Sequence, residues 1–240
     1  MCDLFGLCCN AKDRATLSLP IFAEYSQQMP HGWGIGYFDE ERAIIKRGAE
    51  RAKDSDAYFE TIDKARSKVI ISHIRYMTAG EMCERNCHPF HHTYFDKQWI
   101  FAHNGGVGQI INSLGIDPRS GGETDSEQVF LYLMDQTLDY TNRDGIRGIY
   151  PGLKNAIKNL FDEFGQNITL NFMLSNGNLQ FIFSHYPGRR IHMLRRNKNY
   201  GGAVLTSTRK LTGENWEKIP KDSLLVIENG EVLVVSDPII

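Results

Sequence analysis

The residues best suited to chemistry stand at the start of the chain. Cys2 directly follows the initiator methionine, so removal of Met1 would leave a cysteine that carries both a thiol and a free α-amine. An N-terminal amine can accept the thiol proton, as a histidine does in a catalytic triad. Such an amine titrates at about pH 8, so part of it is unprotonated at neutral pH. The pattern therefore indicates an N-terminal nucleophile; the alternative is a small apolar residue at the start of a buried strand.

The composition is ordinary for a globular chain with a sizeable core. The 240 residues are 41% hydrophobic and 23% charged, which suits one large domain or two small ones. The net charge of −2 gives no electrostatic reason to expect nucleic acid or an anionic membrane as a partner. We therefore expect neither.

The cysteine usage and the N-terminus indicate the compartment. The five cysteines lack the spacing of a disulfide framework, which fits a reducing environment. Asp3 comes too early for a signal peptide, and no apolar run reaches the roughly 18 residues of a membrane span. We expect a cytoplasmic protein.

The order of predicted elements indicates two sheets with helices packed outside, in one domain over residues 1–240. Strands are predicted over Leu4–Cys9, Pro30–Phe38, Ala43–Arg47, Lys68–Tyr76, Gln98–His103, Ile168–Leu174, Leu179–His185, Ile191–Arg195, Ala203–Thr208 and, as a hairpin, Leu224–Val235. Helices are predicted over Pro20–Gln28, Ser55–Arg66, Thr124–Leu138 and Gly152–Phe164.

Three local patterns add detail to this outline. Thr124 and Glu127 have the spacing of a capping box. The glycines of the segment 31–36 predict a strand with another backbone close against it. The basic run Arg189–Lys198 is typical of a solvated strand edge or turn.

Four groups of residues that could do chemistry fall at predicted strand ends or loops, where functional residues concentrate. They are Cys2, the segment Ser72–Gly80, the segment Phe101–Gly105 and the segment Gly121–Glu127. Each has a structural explanation when taken alone. Arg75 could pair with an acid, Asn104-Gly105 could be a turn, and Asp125 could sit favourably in the first turn of a helix.

Together these segments resemble the class II glutamine amidotransferases, which are N-terminal nucleophile hydrolases. The resemblance covers nearly the whole chain and is closest to members that contain only the glutaminase domain. It implies an α+β fold, the four-layer αββα sandwich. The matching motifs are Met-Cys-x-Leu-Phe-Gly at 1–6, His-Gly-Trp-Gly-Ile-Gly at 31–36, Asn-x-His-Pro-Phe at 86–90, Thr-Asp-Ser-Glu at 124–127 and Ile-Pro-x-x-Ser-Leu-Leu-Val at 219–226.

The resemblance also implies a catalytic mechanism. Cys2 would attack the side-chain amide carbon of glutamine, forming a γ-glutamyl thioester and releasing ammonia. The side-chain amide of Asn104 and the backbone N–H of Gly105 would form the oxyanion hole, a pair of preorganised donors that lowers the barrier. Glycine at 105 would let the backbone approach the substrate closely. Neither a cofactor nor a metal is implied.

The other end of glutamine carries two charges. The resemblance implies that Arg75, whose planar fork suits a carboxylate, binds the α-carboxylate with Thr78 assisting. Asp125 would hold the α-ammonium, so that both charges position the amide for attack. Met77 and Ala79 depart from the commonest family pattern, and we expect the cover over the substrate to differ.

The substrate and the partner remain open at this stage. Nothing in the 240 residues suggests a domain that uses ammonia, so a separate synthase subunit is one possible partner. Some stand-alone relatives hydrolyse other γ-glutamyl amides, of which the recognised half is the same.

Two readings compete with an active glutaminase. The first is a zinc-binding module, because Cys83, Cys87, His88, His91 and His92 lie within ten residues, although their spacing is unlike known structural sites. The second is a catalytically silent binding subunit, which need not keep all the residues of the motif. Two further histidines, His73 and His103, lie near the predicted site. We expect each to have a structural role in its strand and not to act as a general base.

Overall fold

The computed structural model describes residues 2–165, 167–196 and 202–240, and the side chains of 143–146 are not described. The predicted loss of Met1 and the end of the basic run at Lys198 lie outside these ranges. Within them the chain forms thirteen strands and five α-helices. The strands are β1 Asp3–Asp13, β2 Trp33–Asp39, β3 Arg42–Gly48, β4 Ser67–Ile74, β5 Phe90–Tyr94, β6 Lys97–Gly106, β7 Thr169–Ser175, β8 Leu179–Ser184, β9 His192–Arg196, β10 Ala203–Ser207, β11 Glu217–Lys218, β12 Ser223–Glu228 and β13 Glu231–Val235. The helices are α1 Ser18–Glu24, α2 Asp56–Lys64, α3 Gln109–Leu114, α4 Asp125–Asp144 and α5 Ile149–Phe164.

The strands form two antiparallel sheets. One has the order β11-β9-β10-β1-β4-β2-β3, and the other has the order β13-β12-β8-β7-β6-β5. One apolar cluster lies between the two sheets, and it includes Leu4, Ile71 and Ile182. A second packs α1 and α2 on the first sheet, and a third packs α4 and α5 on the second. The layers therefore run helix, sheet, sheet, helix, and the predicted αββα sandwich is confirmed.

The helix layer on the second sheet shows how the sequence pattern becomes packing. The apolar stripe of α4 is buried, and the ring of Phe130 stacks on Phe101 of β6 with centroids 5.0 Å apart. Burying a Phe, Leu or Met side chain contributes about 1.5–3 kcal/mol each. The predicted end of α5 is confirmed, since Gly165 follows it with φ +93°, a conformation that favours glycine.

Some predicted boundaries are wrong where tertiary pairing decides them. β6 does not end at His103, because Asn104 and Gly105 continue the ladder with β7. β4 ends at Ile74, so Arg75 lies just beyond the strand instead of inside it. β5, β11 and α3 were not predicted, since each is a short segment without a clear period.

The predicted close approach to the glycines of β2 is confirmed. A Cβ on Gly34 would lie 1.9 Å from the carbonyl oxygen of His88, and a Cβ on Gly36 would lie 3.0 Å from the ring of Pro89. Only glycine leaves room for the segment 86–89 at this place. The glycines of β2 therefore fix the loop that carries Asn86 and His88 beside the sheet.

Candidate active site

The predicted site residues meet at one end of the sandwich. Pairing of Asp3 in β1 with Ile74 in β4 places Cys2 beside the segment that begins at Arg75. The same small cleft is lined by Cys2, Arg75, Thr78, Gly105 and Asp125. Its volume is about 20 Å³, enough for roughly one water molecule.

The Cys2 sulfur lies against the backbone of Tyr76. The Tyr76 N–H donates to Sγ over 3.2 Å, and Sγ lies 3.3 Å from the Tyr76 carbonyl oxygen, which the thiol proton can reach. Burial raises the pKa of the Cys2 thiol above its ordinary value, and the Tyr76 N–H only partly offsets this. At neutral pH the sulfur is a protonated thiol, so it needs a base before it can attack a carbonyl.

The residue after Cys2 is anchored by two arginines. Asp3 is fully buried, and its carboxylate accepts from Arg189 Nη1, Arg209 Nε and Thr208 Oγ1, each over 2.8 Å. The interpretation of Arg189 as part of a solvated edge is wrong, because its side chain is 16% exposed and pairs with this acid. The position of Asp3 in an apolar strand is the sequence feature that could have predicted this pairing, since a buried charge requires a partner.

Asn104 contacts Cys2 from the second sheet. Its Nδ2 donates to the Cys2 carbonyl oxygen, and its Oδ1 accepts from Nδ2 of Asn171 on β7 over 3.2 Å. Asn171 is itself held, because its Oδ1 accepts the backbone N–H groups of His185 and Tyr186 over 3.1 Å. Sequence reasoning missed Asn171, and only the β6–β7 register identifies it.

Gly105 has a structural reason to be glycine besides the predicted one. Its φ is +150°, and a Cβ would lie 1.9 Å from the Thr169 carbonyl oxygen on β7. A side chain at 105 would therefore push β6 away from β7 and disturb the neighbouring Asn104.

Arg75 holds the segment that follows it. The guanidinium is buried, and it donates from Nη1 to the Glu81 carbonyl oxygen over 2.9 Å and from Nη2 to the Ala79 carbonyl oxygen over 2.8 Å. Asn86 also holds this segment, because it donates to the same Glu81 oxygen and accepts the Glu123 N–H. Thr78 is exposed between these anchors, at the mouth of the cleft. The residues 76–81 thus form a cover over the site.

Asp125 begins α4 at the opposite wall. Its Oδ2 accepts the Val107 N–H over 3.0 Å, and its Oδ1 lies 3.4 Å from the Ser126 hydroxyl. The predicted capping box is wrong. Glu127 accepts the N–H groups of Gly121 and Gly122 and contacts His92 instead, and the Thr124 hydroxyl has no hydrogen-bond partner among the residues that the structure describes.

Three buried histidines surround the base of the cleft. His88 Nδ1 lies 2.9 Å from His73 Nε2, and His103 Nδ1 lies 2.9 Å from the Ser126 hydroxyl. Burial lowers the pKa of all three imidazoles, so they are neutral at pH 7.

The residues suggested as zinc ligands have other contacts. His88 pairs with His73, His92 with Glu127, and the Cys87 thiol lies 3.4 Å from the Gly48 carbonyl oxygen. Across 2–165, 167–196 and 202–240, no three His, Cys, Asp or Glu residues come together as a metal site would require. In the same part of the chain, no helix combines the length and the apolar character needed to cross a membrane.

The fold and the cleft define a class of protein: a two-sheet sandwich with a cysteine thiol at one strand end, in a cleft that an arginine and an aspartate also line. A family model described as class II glutamine amidotransferases matches residues 1–207. The chain belongs to this family, which makes it an enzyme of the amidohydrolase type.

Relatives and a solved structure agree with this assignment. An uncharacterized protein of Methanocaldococcus jannaschii is 32% identical over 97% of this chain and 71% of its own length. The γ-glutamyl-hercynylcysteine sulfoxide hydrolase of Mycolicibacterium smegmatis is 26% identical over 85% of this chain and 80% of its own length. The glutamine phosphoribosylpyrophosphate amidotransferase of B. subtilis superposes with a TM-score of 0.68 at 16% identity, over 96% of this chain, which spans about half (48%) of that enzyme. This last likeness concerns the fold alone.

Proposed function

We propose that the enzyme hydrolyses the side-chain amide of glutamine or of a related γ-glutamyl compound through a thioester on Cys2. The observation that carries the proposal is the meeting of three groups in one cleft. They are the Cys2 thiol, the Arg75 guanidinium and the Asp125 carboxylate. The two charges match the α-carboxylate and the α-ammonium of a γ-glutamyl group, and the thiol faces the place of the amide.

The proposed reaction has two steps. The Cys2 thiol gives its proton to a base, Sγ attacks the amide carbon, and the oxyanion that forms is stabilised by the Asn104 amide and the Gly105 N–H. The C–N bond then breaks, the leaving nitrogen takes the proton, and ammonia or an amine departs. Water attacks the thioester, which releases glutamate and restores the thiol.

We assign the base to the α-amine of Cys2, exposed by removal of Met1. The Cys2 thiol needs a base, because its raised pKa keeps it protonated at neutral pH. The three nearby histidines are poor candidates, since burial lowers the pKa of each. An α-amine titrates at about pH 8, close to the operating pH, as an efficient base should.

A second candidate substrate is a γ-glutamyl conjugate with a substituent on the amide nitrogen. Tyr76, whose backbone contacts the Cys2 sulfur, is one of the residues that line the cleft, and it is 39% exposed. An exposed aromatic side chain at this rim can pack against an apolar leaving group, whereas ammonia makes no use of it. A relative that is named a γ-glutamyl-hercynylcysteine sulfoxide hydrolase supports this candidate.

The test is glutamate release by the purified enzyme from L-glutamine and from γ-glutamyl anilide, whose leaving group is aromatic. The Cys2→Ala variant is the control, and it should release no glutamate from either. A Tyr76→Ala variant separates the two substrates, because it should lose more activity on the anilide than on glutamine. Absence of release from every γ-glutamyl amide tested would contradict the proposed function.

A further inference from the structure

Two buried polar atoms in the cleft have no partner within the described residues. Thr124 Oγ1 and His88 Nε2 make no hydrogen bond, although Thr124 is only 4% exposed and His88 only 5%. Both residues line the cleft that contains Cys2, Arg75 and Asp125. Buried polar groups in folded proteins are nearly always paired, so two unpaired polar atoms in residues that line one cleft indicate a missing partner.

The surroundings explain why these atoms remain unpaired. Glu127, which would complete a capping box with Thr124, is held by Gly121 and Gly122 instead. The imidazole of His88 uses Nδ1 to contact His73, which leaves Nε2 on the other edge of the ring. These contacts leave one polar atom of each side chain without a partner in the part of the chain that the structure describes.

We propose that Thr124 and His88 bind the α-amino-acid head of the substrate directly, as two further substrate-binding residues. The inference rests on the proposed function. A carboxylate offers about four acceptor sites and an ammonium offers three donors. Arg75 already donates hydrogen bonds from two of its N–H groups to the Ala79 and Glu81 carbonyl oxygens. Asp125 accepts one backbone N–H and lies near the Ser126 hydroxyl.

The two charged residues therefore leave part of the head group unmatched, and Thr124 and His88 supply the remaining contacts. A hydroxyl both donates and accepts, and a neutral imidazole does either according to its tautomer.

This arrangement defines the class of substrate. A γ-glutamyl compound with a free α-carboxylate and a free α-ammonium pairs all the polar groups of the wall. A compound that lacks one of these groups leaves a buried protein group unpaired, and sites of this kind reject such analogues strongly. The enzyme should therefore accept variation at the γ-nitrogen and reject change at the α-carbon.

The experiment compares Thr124→Val, which removes only the hydroxyl, with Thr124→Ser, which keeps it. Thr137→Val is the matched control, because Thr137 lies on α4 and bonds the Leu133 carbonyl oxygen within its own helix. We expect kcat/KM on L-glutamine to fall about 10- to 100-fold in Thr124→Val, the range for a lost hydrogen bond to a charged group. Thr124→Ser should recover most of that loss.

A second measurement tests contact with the head group itself. L-glutamate, glutarate (without the α-ammonium) and 4-aminobutyrate (without the α-carboxylate) are compared as inhibitors of the wild type, of Thr124→Val and of His88→Leu. Each variant should weaken the binding of L-glutamate more than the binding of the analogue that lacks the charged group contacted by the mutated side chain. An equal loss for all three ligands means a purely structural role and overturns the inference.

The inference and the proposed function fail in different ways. Unchanged kcat/KM in Thr124→Val, with an active wild type, overturns the inference and leaves the function standing. Equal losses in Thr124→Val and Thr124→Ser do the same, because the hydroxyl is then not the group that matters. A wild type that releases no glutamate from any γ-glutamyl amide removes the function and the inference with it.

Discussion

Asn171 on β7 donates from Nδ2 to Oδ1 of Asn104 on β6 over 3.2 Å, and this contact sets the orientation of the Asn104 amide. With its oxygen engaged, Asn104 turns its nitrogen toward Cys2. The donor proposed for the oxyanion is therefore aimed by a residue that does not line the cleft. Since Asn171 accepts two backbone N–H groups of its own, its position is fixed by the turn after β8.

We predict that Asn104→Ala lowers kcat about 10²- to 10³-fold with little change in KM, because the oxyanion exists only on the way to product. Asn171→Ala should lower kcat less, by about tenfold, since the Asn104 amide remains but is no longer held. Asn159→Ala is the control, because Asn159 contacts Gln136 far from the cleft. Steady-state kinetics on glutamine measure both effects. An effect confined to KM would mean that Asn104 binds the ground-state substrate.

We predict that Arg75→Ala and Asp125→Ala each lower kcat/KM severely while the protein stays folded. Each change leaves a charged substrate group unpaired in a partly desolvated site, which costs about 2–5 kcal/mol. Arg75→Lys should not restore activity, because a lysine cannot bond both the Ala79 and Glu81 carbonyl oxygens and the substrate. Arg85→Ala, which removes a half-exposed arginine beside the cover, is the control. Near-wild-type kcat/KM in either alanine variant would remove Arg75 or Asp125 from the substrate site.

We predict that activity depends on a free amine at Cys2. Intact mass of an active preparation should show loss of Met1, and kcat/KM should rise with pH through about pH 8 as the amine loses its proton. A variant with an uncleavable extension before Cys2 should fold but be close to inactive, because an amide nitrogen is not a base. Full activity in a preparation that retains Met1 would refute this assignment.

We predict that Asp3→Ala destabilises the fold by about 3–5 kcal/mol, the usual cost of breaking a buried ion pair from one side. The change strands Arg189 and Arg209, both of which point at the buried carboxylate. Asp13→Ala at the exposed far end of β1 is the control. Urea unfolding measures both variants. Equal midpoints for the two variants would show that the arginine pair does not stabilise the start of β1.

We predict that the free energy of unfolding falls as the pH drops below about 6.5. Burial lowers the pKa of His73, His88 and His103 in the folded state, so the unfolded chain takes up these protons first. The three groups have no effect above pH 6.5, where they are neutral in both states. Below it, each contributes a slope of about 1.4 kcal/mol per pH unit until it is protonated in the fold. Urea unfolding at pH 7.5 and 5.5 checks the prediction, and His88→Gln should show a smaller slope than the wild type.

The sequence by itself predicted the fold class and five of the residues that line the cleft, although Asn104 is not among the lining residues. Period-two and period-3.6 apolar patterns are local, so they place most of the strands and helices without tertiary information. The tight glycines of β2 predicted a close backbone neighbour, and His88 is that neighbour. Residue type and family resemblance predict that Cys2, Arg75, Gly105 and Asp125 belong to one site. All four residues line one cleft.

Only the tertiary structure decided which side chains are paired. Asp3 with Arg189 spans 186 positions of sequence, and Asn104 with Asn171 spans 67. Such pairs follow from strand order and register, which no local pattern encodes. The capping box fails for a different reason, because Glu127 accepts the N–H groups of Gly121 and Gly122 in the folded loop before the helix. Within the described residues the Thr124 hydroxyl is left unpaired, and only the fold shows this, because a hydrogen-bonding partner is a property of three-dimensional position.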